Sequence, residues 1–309
     1  MVYYRGDGRV AKRGVLLFCL FALFMTNKAE AGSEHQLEIG TFNIRWFGSA
    51  EHDQTYQLPT TKAVRVSAVK DFLAKEMLPL DIVAFQEIVD FKALKSVLPK
   101  GWRCESYSHP FKLHQHVAIC ASPNYKLNQV PYDTDNVINE TAYYDVDRAR
   151  PTMRVDVSDR SGTRLIRMVA VHLKSAPNFA LLRLKQVGMI ARDLQNDPTL
   201  PVIVTGDFNS FSHTQTKLET DDVPLIERQL NQSGLSFRHI PHKAAYTFRN
   251  GRVRGQFDHF FVSKMVTSTT QPKVFAVCNH VKDGVGYENA AHYLRYVSDH
   301  CPVKIKVKF

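Results

Sequence analysis

The chain of 309 residues lacks the local signatures of several large enzyme classes. It has no P-loop, no dinucleotide-binding glycine fingerprint and no Gly-x-Ser-x-Gly turn, which excludes nucleotide-cradling glycine loops and the serine-hydrolase elbow. No Cys/His cluster has the spacing of a zinc site. Five cysteines are too few for a small disulfide-built scaffold. There is no internal repeat and no Gly/Ser-rich linker. What is present is an ordinary apolar fraction, 44% hydrophobic and 11% aromatic, which excludes a disordered chain. The formal charge is +10. Such an excess favours an anionic partner, a nucleic acid or an acidic membrane surface, but says nothing about chemistry.

The longest hydrophobic run is also short. It extends from Val15 to Met25, about half of the ~20 residues that cross a bilayer. Arg5, Arg9, Lys12 and Arg13 precede it, and Ala29-Glu30-Ala31 supplies small residues at the spacing a signal peptidase needs. Residues 1–31 are therefore expected to be a secretory signal peptide, leaving 32–309 as one catalytic domain, secreted or periplasmic and with no membrane anchor after cleavage. Phe18 is bulky where a lipoprotein signal at Cys19 needs a small residue. Removal of five basic and two acidic residues leaves 35 against 28, a charge of +7.

Four cysteines then remain, Cys104, Cys120, Cys278 and Cys301. An even number in an oxidising compartment suggests two disulfides. Near neighbours are expected to pair, Cys104 with Cys120 and Cys278 with Cys301; two other connectivities, or four buried thiols, stay open.

Short apolar runs predict strands at 37–43, 81–86, 117–121, 151–157, 165–173, 201–205, 257–262 and 303–307. Helical periodicity marks 61–78 and 179–194. Strands and helices mix without strict alternation. That pattern favours a single α/β domain with two sheets inside and helices outside over one doubly wound sheet.

Polar residues gather where these strands end: Asn43, Glu87, His172, Asp207, Asn209, Asp258, Asp299 and His300. Singly, each is more simply a turn former, a helix cap or a structural histidine. Together, Glu87, Asp207 and Asp299 with the amides Asn43 and Asn209 supply the oxygen ligands a hard divalent cation prefers. His172 and His300 are suited to proton exchange near neutral pH. Oxygen ligands, two histidines and basic surroundings point to phosphoester hydrolysis.

In order along the chain, Thr41-Phe42-Asn43-Ile44-Arg45-Trp46-Phe47-Gly48, Asp81-Ile82-Val83-Ala84-Phe85-Gln86-Glu87, Val171-His172-Leu173-Lys174-Ser175-Ala176-Pro177, Gly206-Asp207-Phe208-Asn209 and Ser298-Asp299-His300-Cys301-Pro302-Val303 resemble the endonuclease/exonuclease/phosphatase superfamily. The likeness is nearest to its secreted deoxyribonuclease I branch and runs from about residue 37 to 309. It implies a four-layer α/β/β/α sandwich and a monomeric, metal-dependent nuclease of low sequence specificity acting on DNA, with RNA a further substrate. It also implies Mg²⁺, with Ca²⁺ or Mn²⁺ as alternatives, held by Glu87, Asn43 and Asp299. By the same resemblance His300, oriented by Asp258, works on the attacking water or the phosphate, and Asp207 with Asn209 positions them. His172 takes part in proton transfer at the leaving oxygen, the division of acid and base between the two histidines staying open, and Arg150 binds phosphate.

Arg249, Arg252 and Arg254 lead into Asp258 and are candidate grips on flanking phosphates. His109, His114, His116, His239 and His242 are read as surface or structural, and Trp46 and Phe47 as packing near the metal loop. Two positions depart from the deoxyribonuclease pattern. Val89 stands where its minor-groove arginine would be, and 105–115 holds no clear partner for the second histidine beyond Glu105. A sphingomyelinase-like phospholipid phosphodiesterase on the same fold is the second reading. A catalytically silent module binding nucleic acid or a partner is the third, and the pair of histidines argues against it.

Overall fold

A computed structural model describes residues 35–49, 61–77, 79–107, 115–130, 152–210, 222–251, 253–280 and 287–309. Arg150, Arg252, His109, His114, the expected signal peptide and its cleavage site lie outside them. Residues 34–309 form one compact unit.

Two sheets carry the fold. The first contains β1 (Gln36–Phe47), β2 (Ile82–Ile88), β3 (Arg103–Tyr107), β4 (His116–Ala121), β13 (Ser268–Thr269) and β15 (Val303–Lys308) in the order β13-β15-β1-β2-β4-β3, with β14 (Lys273–Val274) also on β15. The second runs β5 (Lys126–Gln129), β6 (Thr152–Ser158), β7 (Arg164–His172), β8 (Val202–Asp207), β12 (Asp258–Val262) and β9 (Arg238–His239). Each sheet has one parallel pair at its centre, β1 with β2 and β7 with β8, flanked by antiparallel neighbours. Strands buried on both faces read as continuous apolar runs, and all eight predicted runs are strands.

The helices form the outer layers. On the first sheet lie α1 (Lys62–Phe72), continued by a π turn (Leu73–Met77), then α2 (Phe91–Val97), α5 (Val277–His280) and α6 (Tyr287–Tyr296). On the second lie α3 (Ala180–Leu194) and α4 (Val223–Asn231). Phe42 of β1 packs against Phe72 of α1 at 5.6 Å between ring centres. Val169, Val171, Val202, Val204 and Phe261 form a separate core with Val187, Ile190, Leu194, Ile226 and Leu230 of α3 and α4. Alternate residues, Met168, Ala170, Ile203, Phe260 and Val262, join the core between the sheets. The four-layer sandwich is the expected one.

Helices α2, α4, α5 and α6 exceed the two expected helices. They are short, and their hydrophobic period is brief: in α4 only Val223, Ile226 and Leu230 are buried. Both near-neighbour disulfides are present. Cys104 and Cys120 face each other across β3 and β4, and Cys278 is joined to Cys301 just before β15. Among the described residues no helix is long and apolar enough to cross a membrane.

Candidate active site

Strand register assembles half the site. In the parallel pair β7/β8, His172 lies beside Asp207, and in the antiparallel pair β8/β12, Asp207 lies opposite Asp258. His172, Asp207 and Asp258 thus form one row across three strands, all on the face turned to the other sheet. Gly206 makes this row possible. Its φ is +139°, and a Cβ there would meet the Val171 carbonyl oxygen at 2.1 Å, so only glycine allows this approach.

The first sheet supplies the opposite wall. Phe42 faces the helices, so Asn43 faces the second sheet, and its Nδ2 donates to Glu87 Oε1 and to Asp207 Oδ2, both at 2.9 Å. Glu87, one residue beyond Gln86 on β2, has φ +58°. Arg45 and Trp46 have φ +42° and +48°, and Asn209 has +47°. Left-handed backbone costs a non-glycine residue about 1–2 kcal/mol, and such strain concentrates where surrounding structure overrides it for function. Here local hydrogen bonds do so: Arg45 N donates to Asn43 Oδ1 at 2.9 Å, Trp46 N to Glu87 Oε2 at 3.2 Å and Asn209 N to Asp207 Oδ1 at 2.8 Å.

His300 closes the site from the segment before β15. Ser298 Oγ donates to the Asn43 carbonyl at 2.7 Å and accepts from His300 N at 3.0 Å. The His300 ring lies 4.8 Å from Phe248 and 6.3 Å from Phe257, and Tyr293 OH donates to its carbonyl at 2.6 Å. Nδ1 meets Asp258 Oδ2 at 2.9 Å, so Nδ1–H donates and Nε2 is directed toward Asp207 Oδ2, 3.6 Å away. Burial alone would depress the His300 pKa, but Asp258 and Asp207 outweigh it and raise it above the ordinary histidine value. Asp207 is itself raised, chiefly by burial and against the pull of His300. His172 Nε2 stands 3.6 Å from both Glu87 Oε1 and Asp207 Oδ2.

Glu87, Asp207 and His300 bring three polar atoms within 4.8 Å of one another; the two carboxylates are able to hold a cation, while His300, when protonated, presents Nε2–H beside them as a donor. Asn43 belongs to this centre through its amide N–H groups, which sit between the two carboxylates, while its Oδ1 is engaged by Arg45. Asp299 is held instead by Arg45 Nε at 3.3 Å. Asn209 Nδ2 donates to the Leu173 carbonyl at 2.9 Å, tying the loop after β8 to the end of β7. Arg249 and Arg254 are cross-strand partners in the hairpin of β10 (Phe248–Asn250) and β11 (Val253–Gly255). Arg249 N donates to the Asp299 carbonyl at 2.8 Å, so the hairpin adjoins the site, while the Arg254 guanidinium lies 5.3 Å from the Tyr246 ring.

Other sequence candidates lie apart. Glu105 is on β3 opposite Ile119, across the first sheet. His239 and His242 surround the ring of His259: His239 Nε2 is 3.1 Å from His259 Nδ1, and the His242 ring is stacked 6.1 Å away. Phe47 is fully buried, as expected of packing. Sequence reasoning missed Arg45, Tyr293 and the two phenylalanines beside His300. Arg45 sits inside the first motif and was within reach; Tyr293 carried no local signal.

The comparisons agree with this geometry. Residues 40–300 match the family model described as Endonuclease/Exonuclease/phosphatase family. Similar folds include humanized D. rerio TDP2 (TM-score 0.58, 16% identity, 88% of this chain and 98% of that one). The human Nocturnin catalytic domain with bound sulfate is comparable (0.58, 15%, 88% and 94%). So is an endonuclease/exonuclease/phosphatase family protein from Bacteroides thetaiotaomicron (0.61, 17%, 89% and 96%). No curated protein matches the sequence directly. With a family match over 261 positions that embraces every strand of the site, the chain belongs to the endonuclease/exonuclease/phosphatase family.

Proposed function

We propose that this family hydrolase is a secreted, divalent-metal-dependent endonuclease of the deoxyribonuclease I type, cutting phosphodiester bonds of DNA, and of RNA, with little sequence preference. One observation carries the reading: two histidines and the carboxylates Glu87, Asp207 and Asp258 converge from both sheets on one point. Binding alone does not require a proton-transfer pair. D. rerio TDP2 complexed with single strand DNA product has the same fold (TM-score 0.55, 16% identity, 88% and 98% covered), which supports a nucleic-acid substrate. The two disulfides suit an oxidising compartment.

The donor set fits a hard cation. Glu87 Oε1 and Asp207 Oδ2 are drawn together around the Asn43 amide N–H groups, the place where positive charge is needed. Glu87 and Asp207 would hold Mg²⁺, or Ca²⁺ or Mn²⁺, with Asn43 and Asp299 completing its surroundings. When bound, the cation neutralises phosphate charge.

The protein's own groups do the rest. Asp207 orients the attacking water and takes its proton as the new P–O bond forms. His300, kept protonated by Asp258, donates to a phosphate oxygen, and Asn209 ties the loop that follows Asp207 to the end of β7. His172 gives a proton to the 3′ oxygen as the old P–O bond breaks, a service worth about 10²–10⁴-fold. Arg150 and the arginines 249, 252 and 254 receive the scissile and flanking phosphates.

The test incubates residues 32–309 with plasmid DNA, RNA or sphingomyelin liposomes in Mg²⁺, with and without Ca²⁺, and with chelator. Chelator-sensitive nicking that Glu87→Ala abolishes is expected. Lipid turnover without nicking overturns the substrate, and tight DNA binding without turnover overturns the enzyme.

A further inference from the structure

Arg65 is a fully buried arginine in the first helical layer, 1% exposed, and four main-chain carbonyls are among its partners. Nη2 donates to Ile44 O at 2.6 Å, to Arg45 O and to Val297 O at 3.2 Å, and Nη1 donates to Trp46 O at 3.3 Å. The guanidinium also lies 5.9 Å from the ring of Phe47.

These four carbonyls are not a random set. Three belong to the turn after Asn43, in which Arg45 and Trp46 are left-handed and their amides hold the side chains of Asn43 and Glu87. The fourth immediately precedes Ser298-Asp299-His300, whose serine reaches back to Asn43. Buried main-chain carbonyls need donors. A planar guanidinium presents five N–H groups in a fixed fork, enough to serve two segments at once; a lysine ammonium on a flexible stem is not. On the second sheet a related device is anchored by an ion pair: Arg183 of α3, also 1% exposed, meets Asp222 at 2.7 Å and in addition donates to the carbonyls of Lys174 and Ala176, just beyond His172, at 3.0 and 2.8 Å.

We infer that Arg65 is the positioning residue of the metal centre, a single guanidinium that locks the Ile44–Trp46 turn to the Val297–His300 segment and thereby fixes the Glu87 carboxylate against Asp207 and His300. The inference rests on the reading of Glu87 and Asp207 as cation ligands. Residues behind metal ligands typically contribute 10–100-fold in affinity, and Arg65 acts one step further out, through the backbone.

The experiment compares Arg65→Lys, Arg65→Met and, as control, Arg167→Met. Arg167 is equally buried but pairs with Asp156 and Asp197 at the far end of β7. Two quantities are measured on the folded proteins: amide hydrogen exchange without metal, and Mn²⁺ affinity by titration of the free-ion spin signal. Arg65→Lys should speed exchange at Arg45, Trp46 and Ser298–His300 by about tenfold or more and weaken Mn²⁺ binding by about tenfold. Arg65→Met should do more, with partial recovery of affinity on adding guanidinium ion. Arg167→Met should leave both site readouts unchanged. If Arg65→Met does not fold, Arg65→Lys decides. Unchanged exchange and affinity in that variant, or the same local changes in Arg167→Met, overturn the inference. Failure of the unsubstituted protein to bind Mn²⁺ overturns the metal reading alone, while the exchange data still report on Arg65.

Discussion

His172 stands 3.6 Å from one carboxylate of each sheet, at the place where the two sheets meet. Replacing it with alanine is expected to lower kcat at least about 10²-fold with little change in melting temperature, measured as nicking under saturating Mg²⁺. Unchanged turnover would remove it from the chemistry. Asp258 has a different duty, since its Oδ2 accepts the His300 Nδ1 proton. Asp258→Asn keeps the shape and lets the amide present its N–H to that nitrogen, reversing the tautomer. A loss of the order of 10²–10⁴-fold is expected, by analogy with carboxylate–histidine pairs elsewhere. These residues were legible in the sequence because each ends an apolar strand, where a buried run delivers one polar side chain to a rim. Tyr293 and Arg65 were not. Each acts on backbone carbonyls far away in sequence, and nothing in the local pattern distinguishes Arg65 from a solvated helical arginine.

Among the elements, the central parallel pair β7/β8 is the most exacting. Its spacing beside the site depends on the absence of a side chain at position 206. Gly206→Ala is expected to cost more than ~1 kcal/mol, because alanine must both adopt a positive φ and displace the Val171 carbonyl. Activity should fall with stability, since His172 and Asp207 sit directly beyond the displaced pair; urea denaturation and nicking measured on the same sample check this.

The other end of β7 is tied by ion pairs. Arg164 and Arg167 reach Asp197 Oδ2 at 2.8 and 2.7 Å, and Thr199 donates to its Oδ1 at 2.6 Å. The threonine hydroxyl and the arginines hold the Asp197 pKa well below the ordinary carboxylate value. A depressed folded-state pKa stabilises above the unfolded value and loses that contribution as pH falls through the folded one. Asp197→Asn should therefore lower Tm by about 2–4 °C at pH 7, as befits about 1 kcal/mol for a partly exposed group. The gap should narrow as pH drops below about 4. A gap that widens in acid would contradict the assignment. The long central strands were legible from apolar runs, whereas short edge strands such as β5, β9, β13 and β14 and the extra helices were not, because two or three buried positions do not establish a period.

At the scale of the whole molecule, the disulfides differ in consequence. Cys104–Cys120 and Cys278–Cys301 close segments with sequence separations of 16 and 23. Chain entropy assigns each about 3 kcal/mol. Only the second touches the site, because Cys301 follows His300 and its N–H donates to the Thr247 carbonyl at 2.7 Å. Replacing Cys278 and Cys301 by alanine should reduce both Tm and kcat, and replacing Cys104 and Cys120 should reduce Tm alone. Comparable loss of kcat in the two double variants would refute this distinction.

The row of His172, Asp207 and Asp258, bridged to Asn43 and Glu87 and capped by His300, draws on strands from nearly the full length of the compact unit. Contacts of such long sequence separation form late in folding. Nicking activity should therefore emerge only in the slowest refolding phase, after β15 has paired with β1, and a fragment ending before residue 298 should have none. On the proposed reading, catalytic competence is gained only when the last strand closes.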